Sequence, residues 1–554
     1  MNRPRFRPKL IEVLQAGYTR RMFVRDLGAG ITVGLVALPL AMAFGIASGV
    51  SPQAGIYTAV TAGFIISALG GSRCQIGGPT GAFVVIISGI IARHGLDGLL
   101  MVTMMAGVIL VVLGFTGLGS AVRYIPRPVT VGFTNGISVL IATTQLKDFF
   151  GLQMDHVPSE FAARMRAVSA AAGTASPAAF ALSAVCLIFI LALPKLTRRL
   201  PPVIVVMAAS TAAAALFHLP VETIATRFGG IPTGLPKFAV PAFRADLIPL
   251  LLPSAVTVAL LAAIESLLSA VVADTMSGDR HDPNTELVAQ GIANIATPLV
   301  GGIPATGAIA RTAANIRSGA VSPVSGMVHS LTLLLVLLAA APLARYIPLS
   351  ALAAALLVVG WNMGEWREVG TVLRLSRADI AVWLATFLLT VAADLTVAVE
   401  VGMLLAALLY IYRVSQTTTV SLVDEAYIED GRPHILQDKP IPPYVSILRI
   451  HGPFLFGAAE KLAEETQDLG KFGEVVVLRL RNMTALDATG LHALESFAER
   501  LRSAGKTLVV CGARDQPGRL LQQAGFAQCI GAENITTDIG AALERARAVV
   551  ESRR

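Results

Sequence analysis

Charge is what this sequence has least of. Only 14% of its 554 residues are Asp, Glu, Lys or Arg, against about 25% in a typical soluble domain, and that excludes a water-soluble globular chain as a whole. Cysteine is scarce as well: Cys74, Cys186, Cys511 and Cys529 stand at unrelated spacings, which make neither a disulfide framework nor a metal knuckle, so free thiols are expected. There is no P-loop, no nucleophile and base constellation and no cluster of metal ligands; this argues against an enzyme and against a resident cofactor or metal. The net charge of +8 and pI near 9.5 do not signal nucleic acid, because the basic residues are spread between apolar runs and form no single stripe. At the start of the chain, Arg3, Arg5, Arg7, Lys9, Arg20, Arg21 and Arg25 precede an apolar run too long for a signal segment, with no convincing cleavage site. Residues 1–25 therefore read as a retained cytosolic segment.

What the sequence has in abundance is apolar length: 54% of residues are hydrophobic and the mean hydropathy is +0.68. This composition is that of a polytopic membrane protein. A helix crosses the bilayer with about 20 apolar residues, and with fewer when it is broken and buried in protein. Spans are expected near 26–49, 53–71, 79–93, 97–118, 125–149, 176–194 and 200–217, then 246–275, 284–301, 306–316, 322–346, 348–363, 378–394 and 395–412. With the N-terminus in the cytosol, the inward loops carry Arg73, Arg127, Lys195, Arg280, Arg317, Arg367 and Arg413, in accord with the positive-inside rule. The count is about seven plus seven, and an odd number per half turns the second half upside down, as in inverted-repeat transporters. Both termini then face the cytosol.

The third and tenth spans are short, and both begin at Gly/Pro breaks. One break reads Gly77-Gly78-Pro79-Thr80-Gly81-Ala82-Phe83 and the other Gly301-Gly302-Ile303-Pro304-Ala305-Thr306-Gly307-Ala308. Glycine and proline let the backbone run extended, and each Thr-Gly-Ala then opens a half-helix whose unpaired N–H groups and partial positive charge attract an anion. Arg311, about one turn inside the second half-helix, adds a full charge. The alternative is that both are ordinary turns between short spans; a matched pair of breaks in corresponding halves favours a binding site.

After Arg413 the composition turns polar. The transmembrane region is assigned to 26–413, a linker to 414–442 and a soluble domain of alternating strands and helices to 443–554, a small α/β unit in the cytosol.

The chain resembles bacterial members of the sulfate permease (SulP) family, related to the animal solute carrier anion transporters. The residues that carry the resemblance are Pro39-Leu40-Ala41-Met42-Ala43, Pro52-Gln53-Ala54-Gly55-Ile56-Tyr57, Gly78-Pro79-Thr80-Gly81, Ile264-Glu265-Ser266-Leu267, Asn284-Thr285-Glu286-Leu287 and Ala310-Arg311-Thr312-Ala313-Ala314-Asn315. The tail resembles a STAS domain, with Leu486-Asp487-Ala488-Thr489-Gly490 between a strand and a helix. The resemblance implies a multi-pass protein of the bacterial cytoplasmic membrane. In it a core of spans one to four and eight to eleven moves, elevator-like, against a gate of the remaining six. It also implies a homodimer and cytosolic regulators acting through the STAS domain. Carried over by position, the anion meets Thr80, Gly81, Ala82 and Phe83 on one side and Thr306, Gly307, Ala308 and Arg311 on the other, with Leu40 and Phe44 lining the pocket. Many sulfate-type members have Gln where this chain has Leu40, which shifts weight toward larger anions. Sodium-coupled bicarbonate members tend to lack the arginine and to carry Asp in place of Glu265. The region from Ala263 to Ala314 looks most like proton-coupled dicarboxylate transporters of the family, so uptake of succinate or fumarate with H+ is the expectation. Sulfate, bicarbonate or a channel of the same fold is the alternative.

Glu265 sits in an apolar span, where an ionised carboxylate is expensive, and is expected to bind and release a proton. The competing reading makes it a fixed partner of Arg311, which itself either touches the anion or compensates charge from a distance. His329 reads as a packed, hydrogen-bonded core histidine. Thr489 matches a phosphorylated position of soluble STAS proteins and otherwise reads as a helix N-cap. Three function classes follow: a secondary anion transporter, an anion channel, and a membrane-anchored regulator.

Overall fold

The computed structural model describes residues 6–117, 119, 126–154, 157–197, 201–230, 238–241, 244–393, 395–423 and 441–553. It divides into a unit of Met1–Leu404 and a unit of Leu405–Arg554.

The first unit is helical. In the first half the helices are α1 (Arg20–Ala47), α2 (Pro52–Leu69), α3 (Ala82–Phe115), α4 (Arg127–Thr144), α5 (Pro177–Leu196) and α6 (Pro202–Leu216). In the second half they are α7 (Ile248–Ser277), α8 (Pro283–Ala296), α9 (Ile309–Arg317), α10 (Val324–Ala344), α11 (Leu349–Met363) and α12 (Arg377–Ala392), and α13 (Leu395–Thr417) follows. The long α3 holds two expected spans, because Gly95 at φ 69°, ψ −174° breaks it, and only glycine adopts that conformation without strain. Among the described residues seven helices are long and apolar enough to cross a membrane; α9, with nine residues, is a half-helix.

Packing is reciprocal between the halves. Helix α3 lies along α8 as α10 lies along α2, α3 lies along α7 as α10 lies along α1, and α4 lies along α12 as α11 lies along α5. Each pair is the counterpart of the other under exchange of halves, the signature of an inverted repeat. The most extensive of these packings stay within α1–α3 and α7–α10, or within α4, α5, α11 and α12. This is the division into core and gate. The loop before α5 carries a short helix, Phe161–Ala171. Its Arg164 is 1% exposed and donates to the carbonyls of Pro158 and Leu140 and to Thr143 Oγ1.

The second unit is a five-stranded sheet whose strands lie side by side in chain order, antiparallel between the first two and parallel thereafter. Its strands are β3 (Thr419–Val423), β4 (Val445–Phe454), β5 (Val475–Leu486), β6 (Thr507–Cys511) and β7 (Ile535–Thr536). Side chains alternate faces along a strand. Leu448, Val476, Leu478 and Val510 thus pack with Leu462, Phe497 and Leu521 of α14 (Ala459–Glu465), α15 (Ala488–Ser503) and α16 (Asp515–Gln523). Ile447, Val475, Val477 and Val509 face the other way, onto α17 (Ile539–Glu551).

The stretch read as a linker contains structure: β3 pairs along β4 from Thr419 with His451 to Val423 with Ile447. Thr419-Val420-Ser421-Leu422-Val423 is a short run directly behind a long helix, and its partner lies across an intervening segment. The start of that stretch is the end of α13, which runs to Thr417, and 424–440 lies outside the described residues.

Candidate functional site

Both breaks are extended, and they meet. Gly77–Gly78 (β1) pairs antiparallel with Thr306–Gly307 (β2), Gly77 opposite Gly307 and Gly78 opposite Thr306. Directly after them the half-helices begin, α3 behind Gly81 and α9 behind Ala308. The crossing is tight: a Cβ on Gly307 would lie 1.9 Å from Gln75 Nε2 and 3.1 Å from Ser266 Cα, so a larger residue there has to displace the Gln75 side chain.

Extended backbone inside a membrane protein leaves amides and carbonyls that must find partners. Here side chains supply them. Glu286 Oε2 accepts from Gly71 N at 3.0 Å and Ser72 N at 3.2 Å, and its Oε1 accepts from Ser266 Oγ and Gln290 Nε2. Thr312 Oγ1 accepts from Ile76 N at 3.0 Å, and Asn315 Nδ2 donates to Cys74 O at 2.9 Å. The second break is held by Thr58 Oγ1, which accepts from Ile303 N at 2.7 Å, and by Asn294, which pairs with both the N–H and the carbonyl of Ala305 at 2.9 Å. The first break is thus dressed by the second half of the chain, and the second break in part by the first half.

Arg311 is 5% exposed. Its Nη2 donates to the carbonyl of Pro79, which ties α9 to the first break, and its Nη1 has no hydrogen-bond partner among the described residues. Glu265 is 9% exposed and accepts from Thr80 Oγ1 at 2.9 Å. No ion pair joins Glu265 to Arg311 among the described residues, so the fixed-partner reading has no contact behind it.

Glu265 opens on a cavity of about 280 Å3. Its walls include Leu261, Ile264 and Leu268 of α7, Ile309 and Ala310 at the start of α9, Phe133 and Thr134 of α4, Asn362 and Met363 of α11, and a second carboxylate, Glu365. Core and gate helices therefore face each other across it. Gly81 stands next to this space: a Cβ there would lie 3.0 Å from Met363 Sδ and 3.3 Å from Phe44 Cε1.

The other residues of the expected pocket do not line this cavity, although Ala82 and Phe83 pack in the apolar cluster that holds its walls Phe133 and Leu261. Thr306 is fully buried and its hydroxyl donates to Ala262 O at 2.9 Å. Ala82 and Phe83 belong to an apolar cluster with Ile86 and Ile137. Ala308 is buried at the N-cap of α9, where its amide donates to Ile76 O at 2.8 Å. Leu40 packs on a separate apolar cluster with Phe44 and Met42 and is not among the residues of the cavity wall, so the inference drawn from its missing side-chain donor does not bear on this cavity. His329 is fully buried, and neither ring nitrogen has a partner among the described residues; the expectation that it is hydrogen-bonded does not hold. In the second unit Thr489 is exposed, one position inside α15. The cap is Asp487, whose carboxylate accepts from Gly490 N at 2.8 Å and Phe456 N at 2.9 Å, so Thr489 is not the N-cap.

Sequence reasoning gave no role to Glu286, Thr58 or Asn294, and missed the cavity walls Asn362 and Met363. Glu286 and Asn315 stood inside quoted motifs, but nothing local marks a partner more than 200 residues away.

Comparison with known proteins places this geometry. The profile of the Sulfate permease family matches residues 23–386, and that of the STAS domain matches residues 437–542. A Bacillus subtilis protein whose name assigns it provisionally to sulfate transport, YvdB, is 43% identical over 94% of this chain and 97% of its own. The bicarbonate transporter BicA of Picosynechococcus is 30% identical over 90% of both chains. The fold of the murine Slc26a9 anion transporter, solved in an inward-facing state, superposes with a TM-score of 0.86 over 98% of this chain and 94% of that one, at 17% identity. These relatives carry the names of sulfate and bicarbonate transporters and give the dicarboxylate expectation no support. With both profiles in their expected order and the paired half-helices in place, the chain belongs to the sulfate permease family of membrane anion transporters and carries its STAS domain.

Proposed function

We propose that the chain is a secondary active transporter of a small oxyanion, sulfate or bicarbonate, with Glu265 as its proton-carrying group. The observation that supports this is the hydrogen bond from Thr80 to Glu265 at the edge of a cavity that also touches the start of the second half-helix. One carboxylate then reports to both anion-attracting helix ends. An ionised Glu265 and an entering anion repel, by about 4 kcal/mol for unit charges 4 Å apart at an effective dielectric of 20. A proton on Glu265 removes that repulsion, so anion and proton enter together and uptake strengthens as the outside is acidified. The free Nη1 of Arg311 is a donor available to the anion or to a water that bridges to it. Sliding of α1–α3 and α7–α10 past α4 and α11 would carry the cavity from one side of the membrane to the other.

The test is uptake into proteoliposomes of labelled sulfate, bicarbonate and succinate, each with and without an inward proton gradient. Sulfate or bicarbonate uptake that rises with the gradient, and that in Glu265→Gln persists without that rise, is expected. Gln keeps an acceptor for Thr80, so the variant folds. Gradient-driven succinate uptake with no entry of the two oxyanions would overturn the substrate assignment.

A further inference from the structure

Among the described residues that line the cavity beside Glu265, the titratable side chains are Glu265 itself and Glu365, two residues after α11. Most of the remaining wall is apolar, with Ile264, Leu268, Ile309 and Met363 among its residues. Glu265 is buried, whereas Glu365 is exposed. The same cavity reaches Val129 and Thr130 in the first turn of α4, beside Arg127, which pairs with Glu368 at 2.8 Å. The exposed guanidiniums of Arg127 and Arg367 mark this end as the wet one, since hydrocarbon does not accept them. One cavity thus runs from a buried carboxylate to a solvent-facing one.

The position of Glu365 is fixed from both sides. The carbonyl of Gly364 before it accepts from Asn135 Nδ2 of α4, and Asn135 Oδ1 accepts from Trp383 Nε1 of α12 at 3.0 Å. Trp366 after it donates through Nε1 to Trp361 O at 2.8 Å, with the two rings 5.3 Å apart. Between these anchors the backbone of Glu365 is left-handed, at φ 41° and ψ 37°, which costs energy for a residue with a Cβ. Glycine would fit the turn without strain; glutamate adds a carboxylate that the turn does not use, with no hydrogen-bond or ion-pair partner among the described residues. The charges that act on it are Arg127 of α4 and Glu368 of its own helix, Trp366–Val372. From α12, which packs on that helix, no charged group among the described residues does. The charged neighbour of Glu265 is Arg311.

We propose that Glu365 is the proton's way out: it takes the proton of Glu265 through water in the cavity and passes it to the solvent. This rests on the reading of Glu265 as the proton carrier. The O–H bond of the Glu265 carboxyl breaks toward a water, which gives up another of its protons to a Glu365 oxygen. Glu265 is left as the carboxylate and Glu365 as the acid, and Glu365 then releases its proton to bulk water. The cavity, of about 280 Å3, has room for several waters at about 30 Å3 each. Carboxylates in series are a known way to move protons inside membrane proteins. A relay sets how fast the proton leaves and not how many protons accompany each anion.

The experiment compares two modes of transport in proteoliposomes, with labelled sulfate and labelled bicarbonate as probes. Accumulation driven by an inward proton gradient requires Glu265 to shed its proton in every cycle. Exchange of labelled for unlabelled anion at equal pH does not, because the carrier can return still protonated. In Glu365→Gln the initial rate of accumulation is expected to fall about tenfold or more, while exchange slows far less and the final accumulation is the same. Glu365→Asp keeps a carboxylate and tolerates the left-handed backbone, so it should retain most of the rate. Glu365→Gly should melt at a higher temperature than wild type and yet accumulate as slowly as Glu365→Gln. Exchange slowed as much as accumulation in Glu365→Gln would make the residue structural and overturn the proposal. If Glu265→Gln loses the response to the gradient while Glu365→Gln accumulates at the wild-type rate, the relay alone falls. If Glu265→Gln keeps that response, the proton-carrier reading falls and the relay with it.

Discussion

Replacing Glu286 tests whether the first break is held by acceptors or by charge. The side chain is fully buried and accepts four hydrogen bonds, two of them from the backbone amides of Gly71 and Ser72. Glu286→Ala strands those two amides, and a buried unpaired donor costs about 1–3 kcal/mol, so the loss is about 2–6 kcal/mol. Glu286→Gln behaves differently. Its carbonyl takes the place of Oε2 and keeps both amides, while its amide group takes the place of Oε1 and meets Gln290. The Oε1 of Gln290 has no partner among the described residues, so a flip of that side chain restores the pair, and the net cost is about 1 kcal/mol, one neutral hydrogen bond. The assay is unfolding in mixed micelles titrated with SDS, followed by uptake of the transported anion at a temperature where all variants are folded. The order wild type, Gln, Ala is expected in both readouts, with Gln close to wild type. If Gln falls as far as Ala, the negative charge holds the segment and the hydrogen-bond account is refuted.

Gly307→Ala, whose Cβ would lie 1.9 Å from Gln75 Nε2 and 3.1 Å from Ser266 Cα, is expected to part β1 from β2 and abolish saturable anion binding while the protein still inserts; normal binding would deny the crossing its tight fit. Asp487→Ala removes the cap of α15 and the acceptor for Phe456 N, so the STAS unit should lose about 1–2 kcal/mol, read as an earlier proteolysis midpoint, whereas Asp487→Asn should lose much less. Burial raises the Cys511 thiol from 9.0 to about 12. The folded state keeps this proton while the unfolded chain gives it up, so the stabilisation is complete below pH 9 and fades between pH 9 and 12. Iodoacetamide should accordingly label the half-exposed Cys529 first, and labelling of Cys511 should track unfolding as the buffer is made alkaline.

Local chemistry made much of the membrane unit legible. Apolar length marks the spans, and Gly-Gly-Pro-Thr-Gly-Ala marks the first half-helix because those residue types cannot continue a regular helix. Glu265 stands out as a carboxylate in an apolar run. Each of these signals is contained within about 20 residues. What the sequence hides depends on contacts between distant segments. Nothing near Gly77 announces Gly307 as its partner, and nothing near Glu286 announces the amides of Gly71 and Ser72. Leu40 shows the same limit: its motif position carries no record of the apolar cluster that its side chain joins with Met42 and Phe44.

The borrowing of partners between halves has a consequence for how the protein is made. The amides of Gly71 and Ser72 wait for an acceptor that lies 215 and 214 residues downstream. At about 5–20 residues per second the ribosome takes about 10–40 s to reach it. During that interval the first re-entrant segment is complete in sequence but not in bonding, and hydrocarbon would leave its amides unpaired. The nascent first half therefore needs water or another polar partner at Gly71 and Ser72 until α8 arrives, and a chain that stops before Glu286 is made keeps those two amides without their acceptor.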